Sequence, residues 1–457
     1  MPTLLSKIWD AHIVRVESED IPDVLAIDFQ LLHEVTSPQA FQELRDRGLR
    51  VRHPKRHLAT VDHSAPSRPK ENGEWLFATE AAKTQVEALY KNCEDFGVPC
   101  LPLGHPQNGV VHVVGPELGV TQPGMTLVCG DSHACTHGAF GALAFGIGST
   151  EVLHVMASAS LFMVRPKAML IDITGSVAVD VQAKDIILHV IAQLGTSFAT
   201  GFVLEFRGSA ITELSVEQRM TLCNMAVEAG AISGLIAPDD KVFSYLEGKP
   251  YAPQGRAFQE AVAFWRSLVS DSDVEFDVVK RFRAEEILPR MTFGTTPAMS
   301  IALGEAIPVI GEQGDLSPSL QYMGWKENEL PAGRHVDVVF IGSCANGRLS
   351  DLRLVAKILK GKKVATGLRL LVVPGSNQVK REAEAEGLHL IVIDAGGVWG
   401  QPGCSMCNAV NGDELSDGEL AVSTTNRNFK GRQGRGGRTI LASPMLAAKT
   451  ALRGSLL

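Results

Sequence analysis

Three cysteines stand where they could share one inorganic ligand. Cys404 and Cys407 form a C-x-x-C pair directly after a Pro-Gly turn, and Cys344 lies earlier in the chain, in the segment Gly-Ser-Cys-Ala-Asn. Three convergent thiolates suit a four-iron cluster with one iron left free of protein ligands, and such an iron acts as a Lewis acid. From spacing alone, a redox pair, a zinc site completed by a histidine and three unrelated cysteines remain open as alternatives.

Histidines next to carboxylates are candidates for acid–base chemistry. Asp62 and His63 are adjacent, and one residue separates Asp131 from His133. The pKa of an imidazole is easily brought near neutrality, so each pair could supply a general acid for a departing hydroxyl group. His112, in the run Val-Val-His-Val-Val, is a further candidate. From the residues alone, a structural role for each histidine is the simpler interpretation.

A cationic stretch near the end of the chain could bind anions. Residues 426–438 contain no acidic residue and five cationic ones: Arg427, Lys430, Arg432, Arg435 and Arg438. Guanidinium groups pair bidentately with carboxylates, which suits a dicarboxylic hydroxy acid. A solvated loop and an RNA-binding arm are the alternatives, and an arm of that kind usually carries more aromatic residues than the single Phe429.

The elements predicted around the cysteines bring them to one place. In chain order they are a strand at 336–342, a helix at 349–360, a strand at 368–373, a helix at 378–386 and a strand at 388–393. This βαβαβ pattern predicts a parallel sheet covered by helices, whose ligand site lies at the carboxyl ends of the strands. Cys344 would follow the first strand and open a helix, and we expect the helix N-terminus to lower the pKa of its thiol.

The first two-thirds of the chain also mix strands and helices. We predict strands at 110–114, 126–128 and 168–173 and helices at 83–96, 149–162, 183–194 and 215–228. The predicted domains are 1–166, 167–290 and 291–457. The glycine-rich run 138–148 lacks the spacing of a nucleotide-binding loop, so we expect it to allow close backbone packing.

Composition excludes several classes of protein. The chain has 457 residues, 45% hydrophobic and 21% charged, with a formal net charge of −8, which is typical of a globular protein. An acidic chain is a poor candidate for a dedicated nucleic-acid or anionic-membrane binder, so we expect neither partner. Eight scattered cysteines and the absence of a signal-peptide pattern predict a reducing, cytoplasmic location.

Four segments resemble the aconitase superfamily and occur in that family's order. They are Gly-Asp-Ser-His at 130–133, Ile-Gly-Ser-Cys-Ala-Asn at 341–346, Pro-Gly-Cys-Ser-Met-Cys at 402–407 and Asn-Arg-Asn-Phe at 426–429. Longer stretches at 33–41, 130–148, 221–231 and 426–438 are similar to large subunits of the isopropylmalate dehydratase branch. The chain departs from the usual pattern at Ala134, Ala345 and Gly347 and over residues 394–401, which lie beside the cluster and substrate motifs.

The resemblance implies a fold, a cofactor and a reaction. The fold is α/β and aconitase-like, with three α/β/α domains around an iron–sulfur cluster and without the swivelling fourth domain. The cofactor is one [4Fe–4S] cluster per subunit with three cysteine ligands. The reaction is the interconversion of 2-isopropylmalate and 3-isopropylmalate by dehydration and rehydration, in leucine biosynthesis. A citraconate- or 2-methylmalate-type hydratase and an aconitase-like RNA-binding regulator are the alternatives.

The resemblance also implies roles for individual residues. The metal ligands are Cys344, Cys404 and Cys407. The acid–base residues are Asp62, His63, His112, Asp131, His133 and Glu228. The substrate-binding residues are Ser132, Asn224, Asn426, Arg427 and Arg432.

One element of the aconitase pattern is not expected in this chain. Aconitase-type chemistry takes its α-proton with a serine on the swivelling domain, and the segment after Arg438 is too short for such a domain. The resemblance therefore implies a small subunit that carries the swivelling domain and the serine base. We expect an open cleft in the isolated chain, lined by Arg427, Arg432, His63 and His133.

Overall fold

A computed structural model describes residues 1–16, 21–68, 72, 74–309 and 317–457. In the first part of the chain the elements are α1 (Leu4–His12), β1 (Ile13–Arg15), β2 (Asp23–Ala26), β3 (Phe29–His33), α2 (Ser37–Asp46), β4 (His57–Thr60), α3 (Glu80–Phe96), β5 (Cys100–Leu101), α4 (Val111–Leu118), β6 (Thr126–Cys129), β7 (Leu143–Gly146), α5 (Ser149–Ser158) and β8 (Ser160–Met163).

The middle part contains β9 (Lys167–Thr174), α6 (Ala183–Leu194), β10 (Phe202–Arg207), α7 (Ser209–Glu213), α8 (Val216–Asn224), β11 (Ser233–Leu235), α9 (Asp240–Leu246), α10 (Arg256–Trp265), β12 (Val278–Arg283), β13 (Arg290–Thr292) and β14 (Ser300–Ala302). The last part contains α11 (Ser317–Met323), β15 (Val338–Ile341), α12 (Ser343–Asn346), α13 (Leu349–Leu359), β16 (Arg369–Val372), α14 (Asn377–Ala385), α15 (Leu388–Asp394), β17 (Val398–Trp399), β18 (Leu420–Ser423), β19 (Arg438–Leu441) and α16 (Pro444–Arg453).

Three parallel sheets form the framework. The first sheet has the strand order β5-β4-β3-β6-β7, the middle sheet β11-β10-β9-β12 and the last sheet β17-β16-β15-β18-β19. All neighbouring strands within these three sheets run parallel. In each sheet, the strand that comes first in the chain lies between the strands that come second and fourth in the chain. The strand order reverses at this point, and loops that leave such a switch point form ligand sites.

Helix and strand signals in the sequence explain most of these elements. All four residues of β15 are buried, as in a central strand covered on both faces. The Ser215 hydroxyl accepts from Gln218 N–H and caps α8, and the Ser376 hydroxyl caps α14 by accepting from Val379 N–H. The helix predicted at 183–194 is observed with those bounds. Neither domain boundary is tested, and both remain predictions.

Two predicted strands are wrong. Residues 110–114 lie at the start of α4, in which every residue is buried. When all faces of a helix are apolar, the sequence shows no alternation of apolar and polar residues from which the helical period could be recognised. Residues 388–393 belong to α15, although Leu390 and Ile393 are half exposed. The third strand of the last sheet is the short β17. The helix predicted at 149–162 ends at Ser158, and β8 follows it.

The glycine-rich run allows close packing, as expected. A Cβ atom on Gly138 would lie 1.6 Å from the Gly234 carbonyl oxygen, so only glycine lets the first part of the chain approach β11 here. Among the residues described, no helix has the length and apolar character needed to cross a membrane.

Candidate functional site

All three candidate metal ligands follow strands of the last sheet. Cys344 lies in α12 after β15, while Cys404 and Cys407 lie at a short 3₁₀ turn after β17. The three thiols are buried and form no disulfide bonds. Ser343 (φ +78°) and Ser405 (φ +48°) are left-handed non-glycine residues next to these cysteines. Backbone strain of this kind concentrates at functional sites.

Two asparagines hold the cysteines together. Asn224, at the end of α8, donates from Nδ2 to Cys344 Sγ at 3.2 Å, and Asn426, after β18, donates to the same sulfur at 3.3 Å. The Asn426 Oδ1 also lies 3.7 Å from Cys407 Sγ. The two amides contact each other at 3.1 Å. The structure thus places Asn224 and Asn426, predicted as substrate-binding residues, beside the cysteines.

The expected low pKa of Cys344 is wrong. Burial raises the pKa of the Cys344 and Cys404 thiols, and neighbouring thiol and carboxylate charges raise it further. α12 has only four residues, so its dipole is too small to outweigh burial. Such thiols ionise when a metal binds them.

The donor chemistry of the three thiols suits an iron–sulfur cluster, which cysteine thiolates hold. Among the described residues, the set of metal-type donors whose atoms all lie within 4.8 Å of one another is His33, Glu34, Asp62 and His63, and it includes none of these cysteines.

Asp62 joins the acid–base residues to the cysteine loop. His63 Nδ1 contacts Asp62 Oδ1, and His63 Nε2 lies 3.2 Å from Asp131 Oδ2. The other Asp62 oxygen accepts from Val111 N–H at 3.0 Å, at the start of α4. The Asp62 carbonyl oxygen accepts from Cys404 N–H at 2.8 Å. The carboxyl edges of the first and last sheets therefore meet here.

Asp131 lies at the centre of a histidine group. Its Oδ1 is 3.2 Å from His112 Nε2 and 3.2 Å from His133 Nδ1, and its Oδ2 faces His63. His133 Nε2 lies 3.0 Å from Glu228 Oε1, beyond the end of α8. The six acid–base candidates are thus brought into one connected group.

The carboxylates favour the protonated form of two of these histidines. Burial opposes the charge on His63 and His133, but Asp131, with Asp62 or Glu228, raises the pKa of both imidazoles, that of His63 strongly. Burial likewise opposes the charge on Asp131, and hydrogen bonds from three imidazoles hold its pKa well below the usual range. His63 can therefore donate a proton near neutral pH.

His112 reaches Asp131 from a helix and not from the predicted strand. It lies in the first turn of α4 and is 1% exposed. Its Nδ1 is 3.2 Å from His137 Nε2, and His137 Nδ1 is 2.6 Å from the Thr121 hydroxyl. Burial lowers the pKa of His137 well below its usual value, so this imidazole stays neutral and fixes the orientation of His112.

The two candidate substrate arginines differ in their surroundings. Arg427 Nε donates to Glu228 Oε1 at 2.7 Å, and both residues line a cavity of about 390 Å³ together with Phe429. Arg432 packs its guanidinium 5.4 Å from the centre of the Phe429 ring. Its buried Nε has no hydrogen-bond partner among the described residues, which leaves this donor available to an anion.

Ser132 borders a larger, mostly apolar cavity. This cavity of about 620 Å³ extends from Ser132 to Phe145, Leu161, Val227 and Ile232. Of the candidate site residues, Ser132 lines this cavity, and none of the histidines of the group does. The cavity offers room for an aliphatic substituent next to a polar contact.

Sequence reasoning missed two residues that hold this group in place. Glu34 is fully buried, and its carboxylate accepts from the backbone N–H groups of Asp62 and Ser64. His33 stacks on His63 with ring centres 4.4 Å apart, and burial lowers its pKa to about 4. The His-Glu pair at 33–34 was noticed only as part of a family-like stretch, since its partners are distant in sequence.

Comparison of the sequence with known protein families agrees with this geometry. The aconitase family (aconitate hydratase) matches residues 6–454. The chain belongs to the aconitase family. The predicted aconitase-like α/β fold is thereby confirmed, and hydratases of this family carry an iron–sulfur cluster.

Two curated relatives in this family match nearly the whole chain. A protein of Anaeromyxobacter dehalogenans named 3-isopropylmalate dehydratase large subunit is 53% identical over 461 residues, covering 99% of this chain and 96% of the relative. A protein of Roseiflexus castenholzii with the same name is 51% identical over 459 residues, covering 99% and 97%. A crystal structure of Thermococcus kodakaraensis aconitase X in its holo-form aligns with a TM-score of 0.47 at 14% identity, covering 93% of this chain and 89% of that one.

Proposed function

We propose that this chain is the large subunit of a 3-isopropylmalate dehydratase, a hydro-lyase of leucine biosynthesis. It would interconvert 2-isopropylmalate and 3-isopropylmalate by removing and re-adding water. The observation that carries the proposal is the meeting of three buried thiols with a protonated histidine group through Asp62. The names of the two relatives support the choice of substrate.

The cofactor we propose is one [4Fe–4S] cluster, held by Cys344, Cys404 and Cys407. When bound, it supplies a Lewis-acidic iron for the hydroxyl and carboxylate of the substrate. Asn224 and Asn426 contact the sulfur of Cys344, and amide donors to a ligand sulfur orient it and tune the metal.

The histidine group would move the protons. His63 is protonated because it lies between Asp62 and Asp131, and we assign it to the protonation of the departing hydroxyl. Asp131 keeps His112 and His133 oriented, and Glu228 fixes the far nitrogen of His133. These contacts hold the residues in place before substrate arrives, which lowers the reorganisation cost of the reaction.

The substrate carboxylates would meet Arg427, Arg432 and Ser132. Among the described residues the buried Arg432 Nε has no hydrogen-bond partner, and Arg427 is held in place by Glu228 at the cavity wall. The apolar cavity beside Ser132 has room for the isopropyl group. Ala134 and Ala345, which differ from the usual family pattern, are fully buried and therefore do not alter the cavity wall.

We further propose a small subunit that carries the swivelling domain and the serine base. The relatives' name, large subunit, supports a second chain, and the cavity lined by Arg427 is open to solvent. No nucleic acid or membrane partner belongs to this proposal.

The test is anaerobic reconstitution with 2-isopropylmalate as substrate. Protein purified without oxygen should be brown and should lose its broad visible absorption band in air. Activity should be low for the chain alone and should rise when a small subunit is added in equal amount. A colourless, zinc-loaded and active protein would contradict the cluster, and full activity of the homogeneous chain alone would contradict the split site.

A further inference from the structure

Lys184 is a buried cation that none of the proposed catalytic roles uses. It is 0% exposed and lies in the first turn of α6, in the middle part of the chain. A buried ammonium group is costly unless it is hydrogen-bonded and balanced by negative charge. The N-terminus of a helix is itself the positive end of the helix dipole, which makes this position still less favourable for a lysine.

The ammonium group reaches across to the loops that hold the cysteines. Lys184 Nζ donates to Asn346 Oδ1 at 3.1 Å, to the Thr425 carbonyl oxygen at 2.6 Å and to the Thr424 carbonyl oxygen. Asn346 follows Cys344 in α12, and Thr425 directly precedes Asn426, which contacts both Cys344 and Cys407. One side chain therefore ties together the two loops that position the thiols.

All three donors of Lys184 are used by neutral oxygens. In the part of the chain that the structure describes, no carboxylate forms an ion pair with it. Asp185 accepts from the N–H groups of Arg290 and Gln182, and Asp351 accepts from Asn346 Nδ2 and Arg348 N–H. The positive charge therefore lacks a directly bonded counter-charge on this side of the site.

We propose that Lys184 is a positioning residue of the cluster site, whose charge balances the thiolates and the cluster and whose hydrogen bonds join the Cys344 and Asn426 loops. This inference rests on the proposed cluster. A core held by three thiolates carries net negative charge, which supplies the missing counter-charge. Burial lowers the pKa of Lys184 to about 7, while nearby carboxylate and thiolate charges act in the opposite direction.

Two variants separate charge from hydrogen bonding. Lys184→Met removes both, whereas Lys184→Gln removes the charge and keeps two amide N–H donors on a shorter side chain. Arg290→Met is the matched control, because Arg290 is another buried cation beside α6, and its guanidinium contacts Ser300 and His189. Its loss should destabilise the fold without touching the cluster.

The measurement is the reduction potential of the cluster, followed by electron paramagnetic resonance, together with the rate of cluster loss to a chelator. Both Lys184 variants should shift the potential to more negative values, and cluster retention should fall roughly 10–100-fold. Arg290→Met should lower Tm and leave the potential unchanged. Wild-type potential and retention in Lys184→Gln, or an equal shift in Arg290→Met, would overturn the inference. Wild-type protein without a visible band would instead contradict the proposed cluster.

Discussion

The first and last sheets are wound alike but present different chemistry at the same edge. In the first sheet, His33 ends the central strand and Asp131 follows the strand beside it, β6. In the last sheet, the equivalent positions lead to Cys344 and Asn426, after β15 and β18. The strand order thus determines where side chains converge, and the residue types in the loops determine what they can do there.

The two edges also differ in how they satisfy buried polar groups. In the first, the histidines contact carboxylates, as His63 contacts Asp62 and Asp131. In the last, Cys344 contacts amides, and among the described residues the ammonium group of the buried Lys184 donates to neutral oxygens. The last edge therefore has the composition of a site finished by a charged ligand.

The largest expected effect comes from replacing a cysteine at the edge of the last sheet. Cys344→Ser should remove most of the iron and lower activity roughly 10³-fold or more, because a Lewis-acidic metal contributes several kcal/mol to such a reaction. Iron content and turnover on 2-isopropylmalate measure this. Cys129→Ser is the control, since Cys129 is buried at the end of β6 in the other sheet. Equal iron in the two variants would show that Cys344 is no ligand.

Replacing a histidine at the edge of the first sheet should lower turnover and leave the cluster intact. His63→Ala removes the proposed proton donor, so kcat should fall roughly 10²–10⁴-fold while the visible spectrum stays unchanged. His57→Ala is the control, because His57 begins the same strand that His63 follows and is 4% exposed, against 14% for the His63 side chain. Loss of the spectrum in His63→Ala would mean that the two edges do not act separately.

A smaller effect should come from the arginine that has an unpaired donor. Arg432→Lys keeps the charge and loses the planar fork, so KM should rise roughly tenfold, a change of about 1.4 kcal/mol. Arg435→Lys tests the same change at an exposed position of the same segment and should leave KM as it is. An unchanged KM in Arg432→Lys would remove it from the substrate contacts.

Local signals located the strands β15 and β16 of the last sheet but not β17, β18 and β19. The strand before Cys344 is a short, wholly buried β-branched run, and the C-x-x-C pair follows a Pro-Gly turn, so both positions were readable from the sequence. The first sheet was not foreseen as a unit, because its strands are short and the two-residue β5 has no pattern of its own. The run 110–114 was misread because burial on all sides hides the helical period.

Unlike the partners of His63 and His133, which are close in sequence, the partners of Glu34 and Lys184 could not be read from the sequence. The Glu34 carboxylate accepts hydrogen bonds from the backbone N–H groups of Asp62 and Ser64. The Lys184 ammonium group donates to carbonyl oxygens about 240 positions away in the chain. Such contacts depend on how the sheets meet, which no local pattern records. Charged residues at those positions would ordinarily be placed on the surface.

The last expected effect is on stability and not on activity, and it concerns a further contact between the two regions. Glu117, near the end of α4, is 8% exposed, and its carboxyl accepts from the Ser376 hydroxyl at 2.8 Å, at the start of α14 in the last part of the chain. Burial raises the pKa of Glu117 from 4.5 to about 8. The folded protein therefore holds a proton here that the unfolded chain releases above pH 4.5, so this contact is strongest at low pH.

The sign of the pH effect follows from that difference. Between about pH 4.5 and pH 8 the unfolded chain binds fewer protons, so the contribution of Glu117 to stability falls by about 1.4 kcal/mol per pH unit and levels off above pH 8. Glu117→Gln keeps an oxygen for Ser376 and cannot ionise. The free energy of unfolding of Glu117→Gln, measured with urea, should therefore rise relative to that of wild type as the pH increases from 5 to 8. Glu382→Gln, at an exposed position of α14, should show a constant difference from wild type. A constant difference for Glu117→Gln as well would mean that its carboxyl is already ionised in the folded protein, and that the two regions are joined by a charged contact.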